Sequence, residues 1–162
     1  MLLVRHKTSN TPQTRKLLND ARTHAESIID TICEENQLKK PRVYRKKARQ
    51  VYLNVVRRKK KAKKWLRAQI RQLLNFVKRD IRVIQEFLEE GYSLSENHQI
   101  WWETIQKIYE QQQYMYDHHT HSVANRIVSF HQPWLRPIVR GKAKAAVEFG
   151  VKFDMSMDNG IA

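Results

Sequence analysis

Residues that interrupt helices are scarce in this sequence, which has only four glycines and four prolines among its 162 residues. Glycine and proline are the least favourable residues in a helix interior, so their scarcity predicts long, uninterrupted helices. Three of the glycines and two of the prolines fall within residues 125–160. That segment is therefore expected to differ in structure from the rest of the chain.

Cysteine is nearly absent as well, and the single Cys33 excludes an internal disulfide. Cys33 lies in an apolar stripe with helical spacing, which predicts a buried thiol in a reducing compartment. No apolar run approaches the length of a membrane span, and the N-terminus shows no signal-peptide pattern, because basic residues follow the first four apolar ones at once. The sequence thus predicts a cytoplasmic location and no membrane partner.

Acidic residues are missing from the middle of the chain. Between Lys40 and Arg82 there are 18 lysines and arginines and one acid, Asp80, which gives that basic segment a net charge of +17. The remaining residues carry 13 basic and 15 acidic side chains, a net −2. A solvated helical face is the simple alternative, but so many like charges in one segment repel one another. The pattern therefore favours an elongated polyanion such as nucleic acid as the partner.

Apolar residues with a period of three and four predict three helical regions. The first starts at Pro12 and ends near Asn36. The second, Arg42 to Glu90, contains neither proline nor glycine and is either one very long helix or two helices that meet near residues 57–61. Gly91 closes this region, and the capping-box spacing of Ser93 and Glu96 predicts the start of the next helix. Packing of these helices would bury the apolar stripe and leave the basic residues outside.

A strict period of two appears only in residues 147–157, where six apolar residues alternate with polar residues and glycine. This alternation predicts a strand with one buried face. The residues after it, Asp158-Asn159-Gly160, are typical of a β-hairpin turn. Because no returning strand follows in the sequence, we expect the chain to be a piece of a larger protein.

Two groups of ionisable residues are candidates for a metal site, and neither is convincing. Residues 117–121, Asp-His-His-Thr-His, contain ligand types but match no zinc spacing, so we expect them to lie near nucleic-acid phosphates instead. Glu148 and Asp154 lie on one face of the predicted strand, on the order of 20 Å apart, which is too far to share a metal pair. Nor does the sequence contain a nucleophile elbow, a phosphate-binding glycine loop or a paired Cys-x-x-Cys. We therefore predict no catalytic and no metal-binding residue.

A second basic patch combines Arg136, Arg140 and Lys142 with Trp134. Arginine can bind phosphate through two hydrogen bonds, and tryptophan can stack on an unpaired base. In the alternative interpretation, the patch is a proline-ordered connection whose arginines pair with Glu148 or with acids of the helices.

Residues 126–160, RIVSFHQPWLRPIVRGKAKAAVEFGVKFDMSMDNG, resemble a segment of bacterial insertion-sequence transposases of the DDE type. In that family the pattern RIVS, QP, RPIVRGKA and VEFG recurs in this order. KLLNDARTHAESIID at residues 16–30 and QQQYMYD at residues 111–117 are also similar to parts of the family. Asn125 departs from the aspartate that often precedes RIVS, and Gln13 and Thr14 replace a more usual Thr-Asp pair.

The resemblance implies a ribonuclease H-like core in which three acids bind Mg²⁺ and cut and join DNA strands. None of these acids corresponds to a residue of this sequence, so no cofactor is expected in this fragment. The fold class expected is α+β and mostly helical, with long basic helices followed by a short strand and a β-hairpin strand from an incomplete ribonuclease H-like sheet. Residues 1–122 would form a helical insertion region with the basic segment 40–82, and residues 123–162 part of the sheet.

The function expected on this basis is that of a DNA transposase fragment that binds DNA and is inactive by itself in the bacterial cytoplasm, associated with the nucleoid. Its partners would be transposon-end DNA and a second copy or an intact transposase. The alternatives are a self-standing basic helical nucleic-acid-binding protein and an inhibitory partner of an intact transposase. The predicted DNA-binding residues are Arg57, Arg58, Lys59, Lys60, Lys61, Lys63, Lys64, Arg67, Arg136, Arg140 and Lys142.

Overall fold

The computed structural model describes residues 12–120, 123–139 and 147–150. Within these ranges the chain forms four helices and two short strands. The helices are α1 (Pro12–Glu35), α2 (Arg45–Arg57), α3 (Lys63–Glu89) and α4 (Glu96–Asp117), and the strands are β1 (Arg136–Val139) and β2 (Val147–Gly150).

Helix α1 lies at the centre of the fold and packs against α3 and α4 along its length. Its apolar stripe is the most completely buried part of the protein, with Leu18, Ala21, Ala25, Ile28 and Ile29 all at 0% exposure. This stripe has the three- and four-residue spacing that places side chains on one face of a helix. The predicted first helix is therefore confirmed, and Cys33 at its end is buried and free, as expected.

The region between Arg42 and Glu90 folds as two helices that pack against each other as a hairpin. Helix α2 stops at Arg57, and Arg58 adopts an extended conformation. Five consecutive cations, residues 57–61, occupy the break, and their mutual repulsion disfavours a continuous helix there. Of the two arrangements that the sequence leaves open, the structure has the one with a break near residues 57–61.

The connection between α3 and α4 is a glycine-dependent turn. Gly91 has a φ of +94°, in the left-handed region that glycine adopts without steric cost, and its N–H donates to the Leu88 carbonyl at 3.1 Å. Helix α4 then begins at Glu96, where the Ser95 hydroxyl accepts a hydrogen bond from the His98 N–H at 3.3 Å. The end of α3 is predicted correctly, whereas the predicted capping box is wrong, since Ser95 and not Ser93 caps α4.

The segment after α4 is held against the helical core by two hydrogen bonds from one side chain of α4. The Gln111 amide donates to the Ile127 carbonyl at 3.0 Å and accepts from the Ile127 N–H at 2.6 Å. Ile127 and Phe130 are buried in the same apolar cluster as the helices. Residues after position 122 therefore contribute to the helical core.

Gln111→Ala is expected to lower the free energy of unfolding by about 2 kcal/mol, because it leaves the buried N–H and C=O of Ile127 without partners. Chemical denaturation measures this loss, and the Ile127 amide should also exchange its hydrogen much faster. Gln106→Ala on the same helix, where the side chain is half-buried, is the matched control and should change neither quantity. An Ile127 amide that stays protected in the Gln111 variant would contradict the role assigned to this side chain.

Strands β1 and β2 form an antiparallel pair in which Arg136 faces Gly150 and Val139 faces Val147. Among the described elements neither strand contacts a helix, and the core is made by the helices and residues such as Ile127 and Phe130. The predicted α+β fold is therefore wrong for the part of the chain that the structure describes, which is a helical domain with a separate two-stranded ribbon. Alternating apolar residues indicate a local strand, but an α+β fold also needs a sheet that packs on helices.

Strand β2 pairs with the upstream strand β1, a partner that was not predicted. The remainder of the predicted strand, residues 151–157, and the predicted turn at Asp158-Asn159-Gly160 lie outside the described residues.

Candidate nucleic-acid interface

The connection between α2 and α3 places the densest group of positive charges at one end of the helical hairpin. All of residues 57–64 except the half-buried Lys61 are exposed. The Arg58 side chain is held in place, because its Nε donates to the Lys60 carbonyl at 2.9 Å and its guanidinium lies 4.5 Å from the centre of the Trp65 ring. Residues 57–64 together with Arg67 are called the basic end below. The eight predicted binding residues of this group are thus brought together.

Arg67 links the basic end to the C-terminal end of α4. Its guanidinium lies 3.9 Å from the centre of the Tyr116 ring, and its Nη1 donates to Nδ1 of His119 at 3.2 Å. The histidine stretch was expected to lie near phosphates, and its described part does adjoin the basic end. Sequence reasoning missed the supporting aromatic residues Trp65 and Tyr116, because the contact between Arg67 and Tyr116 spans two helices.

The described part of this stretch, residues 117–120, is not arranged as a metal site. The Asp117 carboxylate accepts from the Gln113 amide, the His118 ring stacks on Tyr114 at 4.0 Å, and His119 accepts from Arg67. Within the described ranges no three His, Cys, Asp or Glu side chains are grouped so that they could hold a metal ion. The Mg²⁺ binding that the transposase resemblance implies for the intact family stays a prediction.

A second positively charged surface runs along α3 from the basic end. The exposed or half-buried side of the helix is called the outer α3 face. It consists of Lys64, Arg67, Arg71, Gln72, Asn75, Lys78, Arg79, Arg82 and Gln85. The one acid of α3 before Glu86 is Asp80, which is 0% exposed and points into the protein. The outer α3 face is therefore free of negative charge over about 30 Å of helix.

Tyr44 joins the start of α2 to this face. Its φ is +53°, and the guanidinium groups of Arg42 and Arg79 lie 4.7 and 4.4 Å from the centre of its ring. The hydrogen bond from Arg79 and the positive charge of Arg42 lower the pKa of the Tyr44 hydroxyl. The sequence indicates Tyr44 only as a member of an apolar stripe, so its contact with two arginines is a feature that only the folded chain shows.

A network of buried and half-buried charges connects α1 to α2. Arg22 and Glu26 of α1 form a buried ion pair, and Arg45 at the start of α2 donates two hydrogen bonds to Asp30 at 2.6 and 2.7 Å. The Arg45 Nε also lies 3.8 Å from Glu26. The hydrogen bonds from Arg45 lower the pKa of Asp30. This network fixes where the helix that leads to the basic end starts.

Asp80 of α3 is buried near this network, and neither of its carboxylate oxygens has a hydrogen-bond partner among the described residues. Burial, and then the negative charge of Glu26, raise the pKa of Asp80 to about 8. The burial of Asp80 was not predicted from the sequence. Its position as the one acid among 18 cations was a signal that its environment differs from that of its neighbours.

The second predicted patch is described only in part. Arg136 begins strand β1, whereas Arg140 and Lys142 lie outside the described residues. Trp134 is 60% exposed and lines a cavity of about 660 Å³ together with Tyr114 and Lys107 of α4. The grouping of these three basic residues therefore stays a prediction.

Comparisons of the chain with protein-family models, with curated proteins and with solved structures gave no match. In the part of the chain that the structure describes, every helix is too short or too polar to span a membrane.

Proposed function

We propose that this chain binds duplex DNA as the basic helical part of a bacterial insertion-sequence transposase of the DDE type. The observation that carries the proposal is the continuous positive surface formed by the basic end and the outer α3 face. The resemblance of residues 126–160 to a segment of that transposase family supports the same conclusion from a different part of the chain. On this proposal the protein acts at the nucleoid in the bacterial cytoplasm, with transposon ends and a further transposase subunit as partners.

The charge distribution supports DNA rather than a compact anion. Duplex DNA carries one negative charge per about 1.7 Å of its axis, so a straight row of cations about 30 Å long meets many phosphates at once. The exposed lysines of the basic end have no carboxylate partner within the described residues. Their charge is therefore available to phosphates, and binding would release the counterions that surround the DNA.

The triple variant Lys59→Ala, Lys60→Ala, Lys61→Ala tests the basic end. We expect the plot of log Kd against log salt concentration to become shallower by about 2 to 3, since each lost phosphate contact removes about 0.9 from the slope. Fluorescence anisotropy with a labelled 30-base-pair duplex measures this slope. The buffer contains EDTA, because the proposed contacts use lysine and arginine and no metal.

A matched control removes three exposed lysines from other parts of the chain, as Lys16→Ala, Lys39→Ala, Lys107→Ala. It has the same net charge as the test variant and should keep the slope of the unchanged protein. If the two variants gave the same slope, the basic end would not be part of the interface. Failure of the unchanged protein to bind any duplex at low salt would overturn the proposed function itself.

A further inference from the structure

We infer that the outer α3 face from Arg71 to Gln85 reads base sequence by lying in the major groove of the duplex, while the basic end, which includes Lys64 and Arg67, holds phosphates. This inference rests on the proposed function, because it requires that duplex DNA is the partner. It assigns a role in specificity to residues that were not among the predicted binding residues.

The first observation is the presence of neutral amides within the positive face. Gln72, Asn75 and Gln85 are exposed, and their side chains make no hydrogen bond to another residue that the structure describes. By contrast, the amides of Gln50 and Asn54 on α2 form a hydrogen bond with each other at 2.7 Å. An amide adds no charge that would attract phosphate. It can both donate and accept, which is what the major-groove edge of adenine requires.

The second observation is that two of the amides, Asn75 and Gln85, lie among basic residues along the same line of the helix. Arg71, Asn75, Lys78, Arg82 and Gln85 follow one another at steps of four, three, four and three residues, so they form one straight ridge. Arginine and lysine bind the O6 and N7 acceptors of guanine, as asparagine and glutamine bind adenine. The ridge therefore presents side chains suited to both purines over about 21 Å of helix.

The third observation is the space on both sides of this ridge. A cavity of about 490 Å³ lies towards α2 and is lined by Tyr44, Lys47 and Gln72 among others. Another of about 650 Å³ is lined by residues of the ridge and by Tyr109 of α4. A helix that enters the major groove needs open space on both sides, because the two DNA backbones border that groove. Asn75 and Arg79 line both cavities and therefore lie between them.

Charge also limits where the duplex can lie along α3. Glu86 and Glu89 are exposed in the last turn of the helix, and Glu86 pairs with Arg82 at 3.4 Å. These carboxylates repel phosphates, so the DNA contact is expected to run from the basic end to about Gln85. The first turn of α3 thus contacts phosphates, its middle contacts base edges, and its last turn carries carboxylates that the DNA avoids.

The test uses the full chain and a pool of 30-base-pair duplexes whose central ten positions are randomised, in the presence of competitor DNA. We expect repeated selection to enrich a sequence motif. The double variant Asn75→Ala, Gln85→Ala should bind the enriched duplex at least about tenfold more weakly, because each well-placed base contact accounts for about that factor. Its affinity for a scrambled duplex and its salt slope should be unchanged, since neither residue is charged.

Gln99→Ala is the matched control, because Gln99 is an exposed amide on α4. It should keep the motif and the affinity, and circular dichroism should show all variants to be equally helical. Duplex binding with a steep salt slope but no enriched motif would overturn this inference and leave the proposed function standing. Stronger binding to an RNA hairpin than to the enriched duplex would also overturn it, whereas no duplex binding at all would overturn the proposed function.

Discussion

Glu26→Ala is expected to lower the free energy of unfolding by about 3 to 5 kcal/mol, which is a large part of the stability of a typical domain. The reason is that Arg22 is only 4% exposed and would keep its charge without the carboxylate that now pairs with it. Burial raises the pKa of Glu26, although Arg22 and Arg45 oppose this, so the carboxylate already carries a desolvation cost that its partners offset. Urea denaturation followed by circular dichroism measures the change.

The double variant Arg22→Met, Glu26→Leu provides the control for this interpretation. Replacing both members of a buried ion pair with apolar side chains of similar size is often close to neutral, so the double variant should be clearly more stable than Glu26→Ala alone. Arg45 keeps Asp30 as its partner in both variants. If the double variant were as unstable as the single one, the loss would come from packing volume and not from the unpaired Arg22 charge.

Asp80→Asn is expected to stabilise the protein by about 3 kcal/mol at pH 8 and to change little at pH 4. In the folded protein the pKa of Asp80 is raised to about 8, compared with 3.8 for the free side chain. Between these two values the unfolded chain loses the proton while the folded chain keeps it, so stability falls as pH rises from about 4 to 8. Asparagine has no such proton. The full shift would correspond to nearly 6 kcal/mol at about 1.4 kcal/mol per pKa unit, and about half of it is expected because water penetration and relaxation around a buried charge reduce its desolvation cost.

Thermal melting between pH 4 and pH 9 measures this effect. The Tm of Asp80→Asn should exceed that of the unchanged protein by roughly 6 to 12 °C at pH 8, and the difference should shrink as the pH falls to 4. Glu110→Gln, an exposed acid on α4, is the control and should follow the pH dependence of the unchanged protein. Parallel Tm curves for Asp80→Asn and the unchanged protein would contradict a raised pKa at this position.

Residue 80 also shows why part of the candidate site could not be predicted. Asp80 stands in the sequence among cations, next to Arg79 and two residues before Arg82, and looks like a surface residue. Its burial depends on which side of α3 packs against α1. Arg67 is similar, since its contact with Tyr116 joins residues 49 positions apart. The spacing of residues along the sequence predicts neither the burial of Asp80 nor the contact between Arg67 and Tyr116.

Features that depend on neighbouring residues follow from the amino-acid sequence alone. The apolar stripe of α1 specifies its helix and its buried face, and Gly91 ends α3 because it adopts a positive φ. The concentration of charge in residues 40–82 likewise follows from composition alone. Each of these properties arises from interactions within one or two helical turns, which is the distance over which sequence patterns act.

How these elements combine depends on contacts between residues that are distant in the sequence. The alternation at residues 147–150 does produce a strand, yet it pairs with β1 away from the helices, so the expected α+β fold is absent from the described chain. The outer α3 face is exposed because α1 packs against the opposite side of the helix, where Asp80 is buried. Which side of a helix faces solvent is set by the helices that pack against it, and that choice depends on contacts between residues distant in the sequence.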